Sequence, residues 1–237
     1  MKSLLFIGAH PDDETLCAGL FLKAKKRGFR TDILICSSGK NGKPNTKETT
    51  ASTKSILENR NSEFETYCKA VAVDSYTILE NTDTLLEKNE TLTLEILNTL
   101  RSLRPSIIIT HMNNDYHEEH QIVHDSVKSA FEIACRSSFL ELGPKLTDSI
   151  LLEVDGLEMI NNPDFYVDIT DVFDEKTRII KLAYEERLGS LITMDEHKAK
   201  LRGARKKMEV AECYSFVSVR STSYSVVGLR VLAELIE

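Results

Sequence analysis

The first 36 residues alternate in a way that limits what the chain can fold into. Ser3 to Gly8 (SLLFIG) is a short apolar run closed by a glycine and a proline-containing turn, the pattern of a buried strand. From Asp13 to Arg27 the apolar residues move to helical spacing, with Leu16, Leu20 and Ala24 on one face. Lys23, Lys26 and Arg27 suit the negative end of a helix, and Gly28 supplies a stop. Thr31 to Cys36 (TDILIC) reads as a second strand. Strand, helix and strand in so short a span make a crossover unit, so the two strands run parallel.

The alternation continues. Helical spacing is expected from Ser55 to Ala70, a strand from Tyr76 to Leu79, and a helix from Glu90 to Leu103 that Arg104-Pro105 stops. Ser106 to Thr110 (SIIIT) is the clearest β-branched run and delivers His111 at its end; Gln121 to Arg136 is helical again. Beyond Pro144 the pattern predicts strands over Ser149–Val154 and Phe165–Ile169, and helices over Val172–Leu188 and Ala199–Cys213. The fold class is therefore α/β, a mostly parallel sheet with helices on both faces. No repeat or linker-like break interrupts residues 1–237, so one domain is expected. Ser37 to Ser52 is polar and long for a connection, as functional or mobile loops are.

Composition removes several function classes. With 41% apolar residues the chain can build a core, and no stretch approaches the roughly 18 apolar residues of a membrane span. MKSLLFIGAH is too short an apolar run for a signal peptide, and PDDE follows it directly. Thirty-seven acids against 30 bases, a net charge of −7, make nucleic acid an unexpected partner. The five cysteines are widely spaced with no C-x-x-C pair, which argues against a disulfide framework or a thiolate zinc site. A reducing compartment, the cytoplasm, is expected. A homo-oligomer is compatible with everything in the sequence.

Two clusters carry chemistry, and both follow expected strands. One is Ala9-His10-Pro11-Asp12-Asp13-Glu14; the other is Asp115-Tyr116-His117-Glu118-Glu119-His120, with His124 one helical turn later. Ligands of open parallel sheets bind outside the carboxyl ends of the strands, so both clusters can meet at one edge. Taken alone, the first could be a turn in which Asp13 caps a helix, and the second a solvated helix face. Taken together, imidazoles and carboxylates at one sheet edge suit Zn²⁺, which in catalytic sites takes three protein ligands plus water. Asp12 and Asp13 are adjacent and point apart, so one is expected to bind metal and the other to act as base. His111 is expected to pack or to stand behind the ligands rather than bind metal, His197 to lie on the surface, and Arg202 to Lys207 to form a solvated helix face.

At these residues the sequence resembles the PIG-L / LmbE-like family of zinc-dependent N-acetylglucosaminyl deacetylases. The resemblance continues through Arg60-x-x-Glu63, Asp83, Arg104-Pro105, Val167-Asp168-Ile169-Thr170 with Lys176, and Ala211-Glu212 with Phe216. It implies a Rossmann-like three-layer sandwich with the active site at the C-terminal strand ends. It implies His10, Asp13 and His120 as zinc ligands, Asp12 as general base and His117 as the electrophilic or acid histidine. Arg60 and Asp83 would contact the sugar. Zn²⁺ is the cofactor implied, and Fe²⁺ suits the same donors. The implied activity is removal of the N-acetyl group of an N-acetyl amino sugar or glycoconjugate, releasing acetate and a free amine.

The sequence also departs from the family pattern. Glu118-Glu119 stands where the family frequently has Pro-Asp, the Asp holding the catalytic imidazole, here His117, and Glu119 is expected to accept an imidazole N–H in its place. Ala18-Gly19 stands for Gly-Gly, and Arg187-Leu188 for Ser-Gln. Two rival readings use the same residues: a non-catalytic carbohydrate-binding or interaction protein, and an Fe(II) oxygenase with two histidines and one carboxylate.

Overall fold

In a computed structural model, which describes residues 2–39, 53–156, 158–219 and 225–237, seven strands form one sheet. They are β1 (Ser3–Gly8), β2 (Arg30–Ser37), β3 (Ser75–Asn81), β4 (Ile107–His111), β5 (Ile150–Val154), β6 (Phe165–Asp168) and β7 (Ala211–Phe216). The order is β3-β2-β1-β4-β5-β7-β6, with β1 to β5 parallel and β7 antiparallel to both its neighbours. The chain moves outward from β1 to β2 and β3, then returns to lay β4 on the other side of β1. The crevice at the ends of β1 and β4 is thus the switch point where such sheets bind ligands.

Every residue of β1 is buried, and its side chains divide by parity. Leu4 and Phe6 join a core with Leu20, Phe64, Ile179 and Leu235, from helices α1 (Ala18–Lys26), α2 (Thr53–Val71), α5 (Phe173–Ala204) and α6 (Val226–Ile236). Leu5 and Ile7 join the opposite core, with Leu97 and Val127 from α3 (Glu90–Leu103) and α4 (Glu118–Ala134). Each such side chain contributes about 1.5–3 kcal/mol when fully buried, and both faces of the strand need cover.

Three expectations change. The helix expected from Asp13 begins as a 3-10 turn over Asp13–Cys17, because Asp13 and Glu14 turn their carboxylates back onto the preceding backbone N–H groups. The two helices expected over 172–188 and 199–213 are instead one 32-residue helix, α5, followed by strand β7. Gly189 does not interrupt α5, and the polar stretch after it simply continues the helix. Arg202 is buried rather than solvated: it donates to both Asp155 carboxylate oxygens at 2.7 Å and to the Ile160 carbonyl at 2.7 Å.

Other buried charges brace the layers. Glu212 of β7 accepts from the Gly19 and Leu20 N–H groups at 2.8 and 3.0 Å, capping α1 with a carboxylate where the helix end is positive. A Cβ at position 19 would lie 2.7 Å from Glu212 Oε1, so glycine is required there. Lys176 sits between Glu212 at 3.0 Å and Asp195 at 2.9 Å. On the other face, the Arg101 guanidinium donates to the carbonyls of Ile133, Arg136, Ser138, Phe139 and Gly143, closing the end of α4 and the loop behind it.

Candidate metal and active site

Beyond Gly8 the chain folds over its own carboxylate. The Ala9 and His10 N–H groups donate to Asp13 Oδ2 at 2.9 and 2.7 Å, which turns Asp13 toward the strand end. Asp12 adopts a φ of 127°, a region that side-chain-bearing residues seldom enter, and its carboxylate leaves in the other direction. The two aspartates are therefore separated by backbone geometry, as their adjacency predicts.

β4 brings His111 to the same point. It is fully buried, its Nε2 lies 3.1 Å from Asp13 Oδ2, and its ring stacks on His120 at 3.9 Å. Burial lowers its pKa to about 4, so it is neutral, and its Nε2 accepts the Ala9 N–H at 3.0 Å beside the Asp13 carboxylate. It packs behind Asp13 and His120 at the end of β4.

The loop after β4 and the first turn of α4 supply the remainder. Asp115 is buried in the space left by the missing side chain of Gly156, and its Oδ1 accepts the His117 N–H at 3.0 Å. His120 places Nε2 3.3 Å from Asp13 Oδ1 and Nδ1 3.2 Å from Asp115 Oδ2. Burial opposes its charge, but Asp13 and Asp115 outweigh that and push His120 up to about 10. Asp13 is held well below the usual carboxylate range by His120 and His111, against its own burial.

Glu119 occupies an unexpected place. Its Oε2 lies 2.7 Å from His10 Nε2 and its Oε1 accepts the Leu86 N–H at 3.1 Å. It therefore supports His10, and not His117 as the family pattern implies, because the phase of α4 points position 119 across the crevice. Burial lowers the His10 pKa, but the Glu119 hydrogen bond together with the charges of Asp13 and Asp12 outweighs it and the net shift is upward.

One ligand atom each from His10, Asp13 and His120 fall within 4.8 Å of one another, and the same holds for His10, His117 and Glu119, and for His111, Asp115 and His120. The first set fits a catalytic cation best. Two imidazoles and one carboxylate form a usual three-ligand zinc set, and each imidazole has its second nitrogen against a carboxylate, Glu119 or Asp115. His10 Nδ1, 3.8 Å from Asp13 Oδ2, and His120 Nε2, 3.3 Å from Asp13 Oδ1, lie on the Asp13 side.

A cavity of about 780 Å³ opens on this set. His10, Asp12, Asp13, His117, Glu119 and His120 line it, as do Arg60 and Asp83, so all eight singled-out residues reach one space. The wall from α5 mixes apolar residues, Leu188, Leu191 and Met194, with the charged Glu186, Arg187, Asp195 and Lys198. Arg60 is buried beside Glu63 at 3.4 Å, and its pKa is lowered by burial and by neighbouring Arg187. His124 is not part of the cavity; it is buried between Asp125 and Glu153. His197 is exposed on α5, as expected. Of the polar connection from Ser37 to Ser52, Gly39 lines the cavity and residues 40–52 lie outside the described residues.

Arg187 was not singled out as a site residue, although it departs from the family pattern. It forms an ion pair with Asp12 and donates to Glu63 Oε2 at 2.8 Å. The family model described as GlcNAc-PI de-N-acetylase, PIG-L, matches residues 5–131, just over half of the chain and both clusters. The chain belongs to the PIG-L family. No curated protein sequence matches it significantly. Solved structures share the PIG-L fold at low identity. The 4-carboxy-2-hydroxymuconate hydratase of Pseudomonas putida is 18% identical with a TM-score of 0.84, covering 94% of this chain and 99% of that one. The N,N'-diacetylchitobiose deacetylase of Pyrococcus horikoshii is 18% identical with a TM-score of 0.79, covering 91% and 84%. The deacetylase of the A40926 pseudoaglycone is 14% identical with a TM-score of 0.69, covering 93% and 98%.

Proposed function

We propose that this PIG-L chain is a metal-dependent N-deacetylase that hydrolyses the acetamide of an N-acetyl amino sugar or glycoconjugate, releasing acetate and a free amine. The observation that carries this reading is the meeting of His10, Asp13 and His120 within 4.8 Å, beside Asp12 and His117 on one cavity. Family membership and the two deacetylases of the same fold support it.

His10, Asp13 and His120 would hold Zn²⁺, or Fe²⁺ with the same donors. Bound there, the cation supplies a Lewis acid that lowers the pKa of water to about 7. Asp12, which lines the cavity, would accept a proton from water. His117, on the same cavity, would stabilise the developing oxyanion and return a proton to the leaving amine. Arg60 and Asp83, also lining it, would bind the sugar. Seven strands in one sheet support reading 1–237 as a single deacetylase domain. No described helix is long and apolar enough to cross a membrane, and the cysteines are all free, which suits a cytoplasmic protein.

The test is metal analysis together with acetate release from free, nucleotide-linked and lipid-linked N-acetyl sugars. Asp12→Asn is expected to keep its metal and lose turnover; His120→Ala is expected to lose metal. A His120→Ala protein with stoichiometric zinc overturns the ligand assignment. A metal-loaded enzyme that releases no acetate yet hydrates an unsaturated carboxylate would move the reading toward the chemistry of the Pseudomonas hydratase. A requirement for O₂ and a 2-oxo acid would move it to the Fe(II) oxygenases.

A further inference from the structure

Two residues one turn apart on α5 hold Asp12 from behind. Tyr184 donates its hydroxyl to Glu14 Oε1 at 2.6 Å, and Glu14 Oε2 accepts the Asp12 N–H at 3.0 Å. Arg187 pairs through Nη1 with Asp12 Oδ2, donates through Nη2 to the Pro11 carbonyl at 3.4 Å, and through Nε to Glu63 Oε2 at 2.8 Å. Its guanidinium lies 5.4 Å from the Tyr184 ring centroid, so each clamp residue also braces the other. Asp12 is thus gripped at its amide and at one carboxylate oxygen, around a backbone held at φ 127°.

Position matters for a base at a cavity wall. It has to lie within about 2.6–3.2 Å of the proton it takes, and a displacement of about 1 Å can cost about 100-fold in rate. An aspartate at such a wall has several staggered rotamers open to it, and Glu63 nearby would repel its charge. The guanidinium removes both difficulties. Its planar fork joins Asp12, Pro11 and Glu63 at once, which an ammonium cannot do in a fixed geometry. It also takes up Oδ2 of an aspartate that lines the cavity.

We propose that Arg187 is a positioning residue for Asp12: it sets the direction of the base, and through it the rate of hydrolysis, without binding substrate or cation. This rests on the deacetylase reading for its kinetic consequence, and on geometry alone for the orientation of Asp12.

The experiment compares metal-loaded wild type, Arg187→Ala and Arg187→Lys for kcat, KM, metal content and Asp12 conformation in crystal structures. Arg187→Ala is expected to lose about 100-fold in kcat with KM within about threefold and metal content unchanged. Added guanidinium is expected to restore part of that kcat in Arg187→Ala and none in Asp12→Asn. Arg187→Lys retains the charge and keeps the question open to test if the alanine variant does not fold; it is expected to lose about tenfold in kcat. Unchanged kcat overturns the proposal in favour of a plain tie between α5 and α2. A raised KM at constant kcat assigns Arg187 to substrate instead, and lost metal assigns it to the cation set. Wild type that releases no acetate from any N-acetyl sugar refutes the deacetylase reading alone. The Asp12 rotamer in the Arg187→Ala crystal still decides the positioning role: a changed rotamer supports it and an unchanged one overturns it.

Discussion

Replacing Glu119 with Gln separates two accounts of the departure at residues 118–119. In the structure Glu119 serves His10, with 2.7 Å to Nε2, and serves the Leu86 N–H with its other oxygen at 3.1 Å. A glutamine has one carbonyl for these two donors. If it faces Leu86, its NH₂ meets His10 Nε2 and shifts the imidazole proton to Nδ1, removing the lone pair on the Asp13 side. If it faces His10, its NH₂ meets the Leu86 N–H and a donor is left unpaired, at a cost of about 1–3 kcal/mol of stability. Carboxylates behind metal-bound histidines typically contribute about 10–100-fold to metal affinity, which is about 1.4–2.7 kcal/mol. The expected result for Glu119→Gln is a zinc affinity weakened within that range, read by competition with a chromogenic chelator. Glu234→Gln, which removes an equal charge at an exposed ion pair, is expected to leave zinc affinity unchanged. Zinc binding within about threefold of wild type, together with a fall in kcat, would refute the reasoning and return Glu119 to the support of His117.

Further outcomes follow from the buried charges. Burial raises the Glu14 pKa to about 8 from 4.5, so between those values the folded protein binds a proton that the unfolded chain has released. Stability falls as pH rises through that window, by at most about 1.4 kcal/mol per pH unit from this group. Glu14→Gln is therefore expected to gain stability relative to wild type from pH 5 to pH 8, measured by urea unfolding across pH. Lys176→Met strands Glu212 and Asp195 without their cation and is expected to cost about 3–5 kcal/mol in the same assay. Arg101→Met uncouples five carbonyls and is expected to cost on the order of 3 kcal/mol, with metal content unchanged because Arg101, on α3, binds the C-terminal end of α4, away from His120 in its first turn.

What the sequence discloses depends on how locally each feature is determined. β1, β2 and β4 are legible because they are short apolar runs buried on both faces and ended by turn residues. β7 is not, because AECYSF carries a buried carboxylate whose partners, Lys176 and the N-terminus of α1, lie 36 and 193 residues away. Arg202 reads as surface for the same reason: its partner Asp155 is 47 residues distant. In the site, the proposed ligands and acid–base residues are legible because each sits in a short motif at a strand end. The partner of Glu119 depends on the phase of α4, and that of Arg187 on the packing of a helix 175 residues from Asp12, and neither leaves a local trace.

The long reach of these contacts bears on the order in which the protein comes to life on the ribosome. The proposed ligand set is complete in sequence once His120 has been made, and β1, β2 and β4 can already pair around it. The supports of Asp12 at Tyr184 and Arg187, and the cap on α1 at Glu212, are still to be translated. Roughly ninety further residues separate the two stages, several seconds at ordinary elongation rates. On the proposed assignment, the cation ligands are therefore all translated well before the residues that hold Asp12, which separates metal uptake from catalytic competence in time.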